Sequence, residues 1–150
     1  GAWGGLGYLI SEGQFMEILD MKCAEYGNKI VEEIGNASEK NKIETIITKT
    51  LGVLQEDGVY AFALYSKSKS GNETTEKRTA MTIYNKSCEL LKVVKIRLLP
   101  ENCNDLISGI RENLANDLDN LFLAKELLER TLVYARYHAK ALGNDTSGGA

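Results

Sequence analysis

The sequence has 150 residues, of which 43% are hydrophobic, and its formal net charge is −3. This is the length of one domain, and the apolar content is sufficient for a buried core. A net charge this small excludes a protein that binds polyanions through its overall charge. Any affinity for nucleic acid must therefore come from local clusters of Lys and Arg. No apolar run reaches the roughly 20 residues of a membrane-spanning helix, and we expect a soluble, cytoplasmic protein with no membrane partner.

Residues 1–14 form a Gly-rich segment that also contains Trp3, Leu6 and Tyr8. Such a composition suits neither a stable helix nor a fully solvated tail. One interpretation is an extended N-terminal arm that docks on another surface. The other is a non-native or disordered lead-in.

From residue 15 onward, apolar residues recur at steps of three and four, which is the period of amphipathic helices. Glycine at Gly35 and Gly143 is expected to end the first and last helices. The Asp57-Gly58 pair interrupts an apolar pattern that resumes at once, because Gly adopts the left-handed conformation that stops a helix and Asp can cap the next helix. The predicted helices cover residues 15–34, 38–57, 59–67, 74–94, 104–114 and 121–142.

No segment alternates with a period of two for long enough to indicate a strand. We therefore predict an all-α fold, a single-domain bundle of about six helices over residues 15–143. Residues 144–150 are expected to be a flexible polar tail.

The three cysteines, Cys23, Cys88 and Cys103, are odd in number and far apart in the sequence. This spacing supports neither a disulfide framework nor a Cys-x-x-Cys metal site. Each cysteine lies in an apolar helical pattern, which favours buried free thiols in a reducing compartment.

Common catalytic sites can be tested by subtraction, because His138 is the only histidine. A di-iron bundle, a zinc hydrolase and a Ser or Cys nucleophile each need additional His ligands or a positioned base. The Gly4-Gly5-Leu6-Gly7 run lacks the Gly-Lys-Ser/Thr of a phosphate-binding loop. We therefore predict no enzymatic activity, no cofactor and no metal, and we expect His138 to be structural or a surface contact.

The charges alternate along the chain in four blocks. Residues 1–63 carry a net charge of −5, residues 64–100 carry +5, residues 101–129 carry −5 and residues 130–150 carry +2. The block at 64–100 is a local excess of cations of the kind that binds phosphates.

Three separated stretches carry a resemblance to a known family. They read LDMKCAEYGNKIVEEI at residues 19–34, DGVYAFALYSK at 57–67 and LERTLVYARYHA at 128–139. In this order they resemble the small helical subunit of type III-B CRISPR effector (Cmr) complexes, and the Asp57-Gly58-Val59 turn is the most specific part of the match.

The resemblance implies a non-catalytic subunit that stacks in several copies along a ribonucleoprotein and supports the guide RNA–target RNA duplex in antiviral defence. Its partners would be guide RNA, target RNA, other effector-complex subunits and further copies of itself in a head-to-tail stack. Such a role needs cations whose spacing matches that of the phosphates. Tyr134 or Tyr137 could contact sugars or bases. The predicted cationic strip consists of Lys22, Lys67, Lys69, Lys77, Arg78, Arg136 and Lys140.

Two alternatives remain open at this point. One is a helical protein-interaction adaptor without nucleic-acid binding, whose basic residues would be dispersed around the folded surface. The other is the small subunit of another CRISPR subtype, which would share the mechanism but not the partners.

Overall fold

The computed structural model describes residues 11–94 and 97–144. Within these ranges the chain forms six α-helices and no strand, which confirms the predicted all-α, single-domain bundle. The predicted tail beyond residue 144, the Gly4-Gly5-Leu6-Gly7 run and most of the predicted arm lie outside the described residues. The helices are α1 (Glu12–Ile34), α2 (Lys40–Asp57), α3 (Val59–Ser68), α4 (Thr75–Val93), α5 (Leu106–Asn113) and α6 (Leu118–Ala141).

Helix α1 begins three residues before the predicted start at Phe15, because Ser11 and Gln14 form a capping box. The Ser11 Oγ accepts a hydrogen bond from the Gln14 N–H at 3.1 Å, and the Gln14 side chain accepts one from the Ser11 N–H at 2.8 Å. Two backbone donors that the helix itself leaves unpaired are thereby satisfied.

The junction between α2 and α3 is a single residue, Gly58, with φ 94° and ψ −176°. Its N–H donates to the Leu54 carbonyl at 3.1 Å, and its carbonyl accepts from the Phe62 N–H at 3.0 Å, so it closes one helix and opens the next. A side chain is strained at this φ, which explains the glycine. The predicted capping of α3 by Asp57 is wrong, because α3 has no side-chain cap.

Contacts between distant residues define how the helices run. Lys125 in α6 donates to the Gln55 carbonyl near the end of α2 at 3.4 Å. At the other end, Lys40 of α2 donates to the Lys140 carbonyl near the end of α6, also at 3.4 Å. Helices α2 and α6 are therefore antiparallel neighbours. Helix α4 starts beside the start of α2, where the Thr75 hydroxyl donates to Glu39 at 2.7 Å.

The core is continuous across the bundle, with α1 packed mainly on α6 and α4, and α2 packed on α6, α3 and α4. The buried face of helix α4 is wider than the predicted apolar stripe, which passes through Tyr84, Cys88 and Leu91. It also buries Thr79 and Ser87, and the Thr79 hydroxyl is satisfied by the Thr75 carbonyl at 2.7 Å. The other buried apolar residues of α4 are Ala80, Ile83 and Leu90.

All three cysteines are free, as predicted, and Cys23 and Cys88 are buried. Cys103 is only half-buried, so its predicted burial is wrong. It precedes α5 in a segment without regular structure, and such segments run along the surface.

Candidate nucleic-acid interface

Four of the predicted site residues lie around the connection between α3 and α4, residues 69–74. Lys67 is in the last turn of α3 and Lys69 follows that helix, while Lys77 and Arg78 are in the first turns of α4. The Gly71 N–H donates to the Lys77 carbonyl at 3.2 Å, which folds the connection back on the start of α4. We call these four cations the connection cluster.

Aromatic rings hold the first two lysines of the connection cluster. The Lys67 Nζ lies 5.1 Å from the centre of the Tyr84 ring, and the Lys69 Nζ lies 5.7 Å from the centre of the Tyr65 ring. Such cation–π contacts orient a lysine while leaving its ammonium group available to solvent. Both lysines are exposed.

The other two cations of the cluster have polar neighbours. The Lys77 Nζ lies 3.7 Å from Glu73, and one Arg78 terminal nitrogen donates to the Thr75 hydroxyl at 3.4 Å. The Lys77–Glu73 pair is exposed on both sides, and exposed pairs of this kind contribute about 0–1 kcal/mol. A phosphate can therefore replace Glu73 at little cost.

An acidic side chain, Glu39, lies close to the connection cluster. It pairs with Lys42 at 2.7 Å and accepts from the Thr75 hydroxyl at 2.7 Å, beside a polar cleft that Arg78 also lines. The hydrogen bonds from Lys42 and Thr75 hold the Glu39 pKa below its ordinary value. Its negative charge partly offsets the cations around it, which limits their attraction for a polyanion.

The remaining three strip residues lie on α1 and α6. Lys22 pairs with Glu25 at 3.4 Å, and Lys140 pairs with Glu44 at 3.6 Å. Lys140 is at the same end of the bundle as the connection cluster, through the contacts that join the end of α6, the start of α2 and the start of α4. Arg136 has a buried Nε without a hydrogen-bond partner among the described residues.

The second half of the basic block at 64–100 is placed differently from the first. Lys86 pairs with Glu89 at 3.1 Å and with Glu33 of α1 at 3.8 Å, and Arg97 pairs with Glu101 at 3.4 Å. Lys92 lines a separate cleft on α4, and Lys95 lies outside the described residues. The described cations of this block therefore fall into one group at the connection and a second group along α4 and the segment that follows it.

The two tyrosines proposed to contact nucleic acid differ in their availability. The Tyr134 hydroxyl donates to Asp20 at 2.6 Å, and the same carboxylate accepts from Arg130 at 3.0 Å. This network joins α6 to α1, and residue spacing in the sequence gives no sign of it. Tyr137 is 61% exposed and is the better placed of the two to stack on a base.

A second polar network ties α4 to α5. The Tyr84 hydroxyl donates to Asp105 at 2.5 Å and accepts from the Ile107 N–H at 3.1 Å, and Asp105 also caps α5 by accepting from the Ser108 N–H at 3.1 Å. The hydrogen bond from Tyr84 lowers the Asp105 pKa. Burial, and then the bond to Asp105, raise the Tyr84 pKa to about 12. The ring of Tyr84 that faces Lys67 is thereby fixed in place.

Replacing Tyr84 by Phe is expected to lower the free energy of unfolding by about 1.5–3 kcal/mol, because a hydrogen bond to a charged group is lost. A folded-state pKa below the ordinary value means that the Asp105 contribution is present at neutral pH and lost as the pH falls. A raised pKa means that the Tyr84 contribution is present below its ordinary value and lost as the pH rises toward 12.

The difference between wild type and Tyr84→Phe should therefore be largest near neutral pH, and smaller below about pH 4 and above about pH 10. Urea denaturation at several pH values measures it. The matched control is Tyr137→Phe, an exposed tyrosine whose loss should change stability by no more than about 0.5 kcal/mol. A difference that stays constant with pH would contradict the assigned network.

An open apolar groove of about 810 Å³ lies on α1, with His138 of α6 at its side. Ile18 and Met21 line it, and Met21 is 68% exposed. His138 is half-buried beside this groove, and its role as a structural residue or a surface contact stays a prediction.

No group of three or more His, Cys, Asp or Glu side chains is positioned to hold a metal ion in the described part of the chain. None of the helices in residues 11–94 and 97–144 combines the length and the apolarity needed to traverse a bilayer. No protein-family model, curated protein or solved structure matches this chain significantly.

Proposed function

We propose that this chain is the non-catalytic small subunit of a cytoplasmic type III CRISPR ribonucleoprotein effector complex, which stacks along the complex and supports the guide RNA–target RNA duplex through a basic face. The observation that supports the proposal most is the connection cluster, in which four cations lie in or beside one short connection between two helices of the bundle. Contacts of this kind bind phosphates without reading the base sequence.

The local chemistry around the cluster suits weak, reversible binding. Lys67 and Lys69 are exposed and oriented by tyrosine rings, and the Lys77–Glu73 pair is weak enough to be displaced. Glu39 and Glu73 reduce the positive potential. Affinity for RNA by the isolated subunit should therefore be low and should depend steeply on salt concentration.

The charge distribution along α6 supports a head-to-tail stack of copies. Asp117 and Asp119 lie at the start of this helix, whereas Lys140 lies in its last turn. The helix has 24 residues, so about 36 Å separates the two ends. Opposite charges at the two ends of one helix favour a heterologous contact between copies and help to set its register.

The proposal is tested by titrating single-stranded and double-stranded RNA at two or more salt concentrations. Compared with wild type, Lys67→Gln/Lys69→Gln should bind more weakly and should lower the slope of log K against log salt concentration by about 1.4 for single strands, which is about 0.7 for each phosphate contact. Lys29→Gln/Lys49→Gln is the matched control, because it removes the same charge outside the predicted strip and should leave the slope unchanged.

Equal slopes for the two variants would count against the connection cluster as the RNA-binding surface. Affinity purification from the native host then tests the assembly, because a small effector subunit should co-purify with effector proteins and a guide transcript. Recovery with effector proteins of a different subtype would favour the small subunit of that subtype.

The alternative function, a protein-interaction adaptor without nucleic-acid binding, is favoured by one observation. The groove along α1 exposes Ile18 and Met21 together, and exposed apolar patches on helices are typical of protein-binding surfaces. The adaptor interpretation gains support if the native protein co-purifies with proteins but without RNA, and if Lys67→Gln/Lys69→Gln leaves that association intact.

A further inference from the structure

Two of the three cysteines lie side by side, on different structural elements. Cys88 is in the second half of α4, and Cys103 is in the segment between α4 and α5. The Cys88 Sγ lies 3.9 Å from the Cys103 carbonyl oxygen. Both line one surface cleft of about 300 Å³ that also contains Lys92 and Asn104.

We propose that Cys88 and Cys103 form a redox-sensitive pair that closes to an intramolecular disulfide on exposure to a small disulfide of the glutathione class. The geometry that supports it is the placement of two free thiols in one solvent-accessible cleft. Cys23 is separate from this pair, because it is fully buried and donates to the Leu127 carbonyl at 3.4 Å in the interface between α1 and α6.

The two thiols have different roles in the exchange. Burial, and then the neighbouring Cys103, raise the Cys88 pKa to about 12, so this thiol is a poor first nucleophile. Cys103 is half-buried and accessible from the cleft. The small disulfide therefore meets Cys103 first, and Cys88 is the resolving thiol.

In the first step the Cys103 thiol loses its proton, and the thiolate attacks one sulfur of the small disulfide. That bond breaks, the expelled thiolate takes up a proton, and a mixed disulfide remains on Cys103. In the second step the Cys88 thiol loses its proton, attacks the Cys103 sulfur and expels the second small thiolate, which is also protonated. The cysteine pair loses two electrons and two protons in total, and the small disulfide gains them as two thiols.

Formation of the Cys88–Cys103 disulfide would change hydrogen bonds near the start of α5. The Cys103 Sγ donates to the Asp105 carbonyl at 3.3 Å in the reduced form, and Asp105 caps α5 and accepts from Tyr84. A bond to Cys88 removes the Cys103 hydrogen bond and ties the segment before α5 to α4. Tyr84, whose ring also contacts Lys67, is the residue of α4 that donates to Asp105. The disulfide itself forms whether or not the chain binds RNA.

The test uses the purified full chain, incubated at low protein concentration with mixtures of oxidised and reduced glutathione. After an acid quench, free thiols are alkylated, and the chain is digested and mapped by mass spectrometry without reduction. We expect loss of the free thiols of Cys88 and Cys103, recovery of a peptide pair linked through them, and full alkylation of Cys23 after unfolding. Reduction with dithiothreitol should restore both thiols.

Two variants test which cysteines form the disulfide. Cys23→Ser is the matched control and should form the linked pair as wild type does, whereas Cys103→Ser should leave Cys88 free. Glutathione retained on Cys103 without linkage, linkage between two chains, or no reaction would each overturn the proposal. The peptide map that tests the proposal is made on the wild-type protein, so the test does not depend on whether a variant folds.

Discussion

Replacing Phe62 by Ala is expected to lower the free energy of unfolding by about 3–5 kcal/mol, the usual cost of truncating a buried aromatic side chain. Phe62 is 0% exposed and lies in α3, which packs against α2, α4 and α5. The loss combines the transfer of a large apolar group to water with the cavity that remains, because a short helix held on several sides cannot collapse into it. Urea denaturation measures the change from the midpoint and slope.

The matched control is Phe122→Ala, because Phe122 is the same residue type but is 61% exposed in α6. Its replacement should change stability by no more than about 0.5 kcal/mol. A similar loss for the two variants would contradict the full burial of Phe62. The expected loss at Phe62 is a large fraction of the roughly 5–15 kcal/mol that stabilises a domain, so the variant is best studied at low temperature.

Replacing Gly27 by Ala is expected to lower the free energy of unfolding by about 1–3 kcal/mol, which is the usual cost of overpacking. A Cβ at Gly27 would lie 2.8 Å from the Ala135 backbone nitrogen and 2.9 Å from the Thr131 carbonyl oxygen. These are backbone atoms of α6 and cannot move independently of the helix. The steric cost therefore exceeds the gain of about 1 kcal/mol that Ala gives over Gly within a helix.

The control for this prediction is Gly52→Ala in α2, where a Cβ would meet no atom within 4 Å. Here only the helix propensity changes, and stability should rise by about 0.5–1 kcal/mol. The two substitutions are chemically identical and should have opposite signs. If both raise stability, the close contact between α1 and α6 at Gly27 is not as tight as described.

The positions of the helices could be predicted well because their signals are local. Gly35, Gly58 and Gly143 have φ values of 62°, 94° and 81°, which glycine adopts readily, and each lies at a helix end. The start of α1 was predicted too late because the Ser11–Gln14 capping box precedes the first buried apolar residue. The cap of α3 was assigned to the wrong residue because Gly58 itself occupies that position.

The predicted cationic strip shows which side-chain placements follow from local sequence and which depend on tertiary contacts. Lys67, Lys69, Lys77 and Arg78 are close in sequence, so all four lie beside the same short connection between α3 and α4. Lys22 pairs with Glu25 three residues along the same helix, which is a local contact. The pair of Lys140 with Glu44 instead joins α6 to α2 and depends on which helices face each other. The role of Tyr134 as a partner of Asp20 likewise depends on a contact between residues 114 positions apart.

Periodicity and glycine placement by themselves predicted an all-α bundle of about six helices, which residues 11–94 and 97–144 form, because both properties act within one or two turns of the backbone. Tertiary structure alone decided that Gly27 must be small, that Tyr84 binds Asp105, and that Cys88 lies beside Cys103. Each of those depends on which helix faces which, and that is set by packing of the whole core rather than by any local segment.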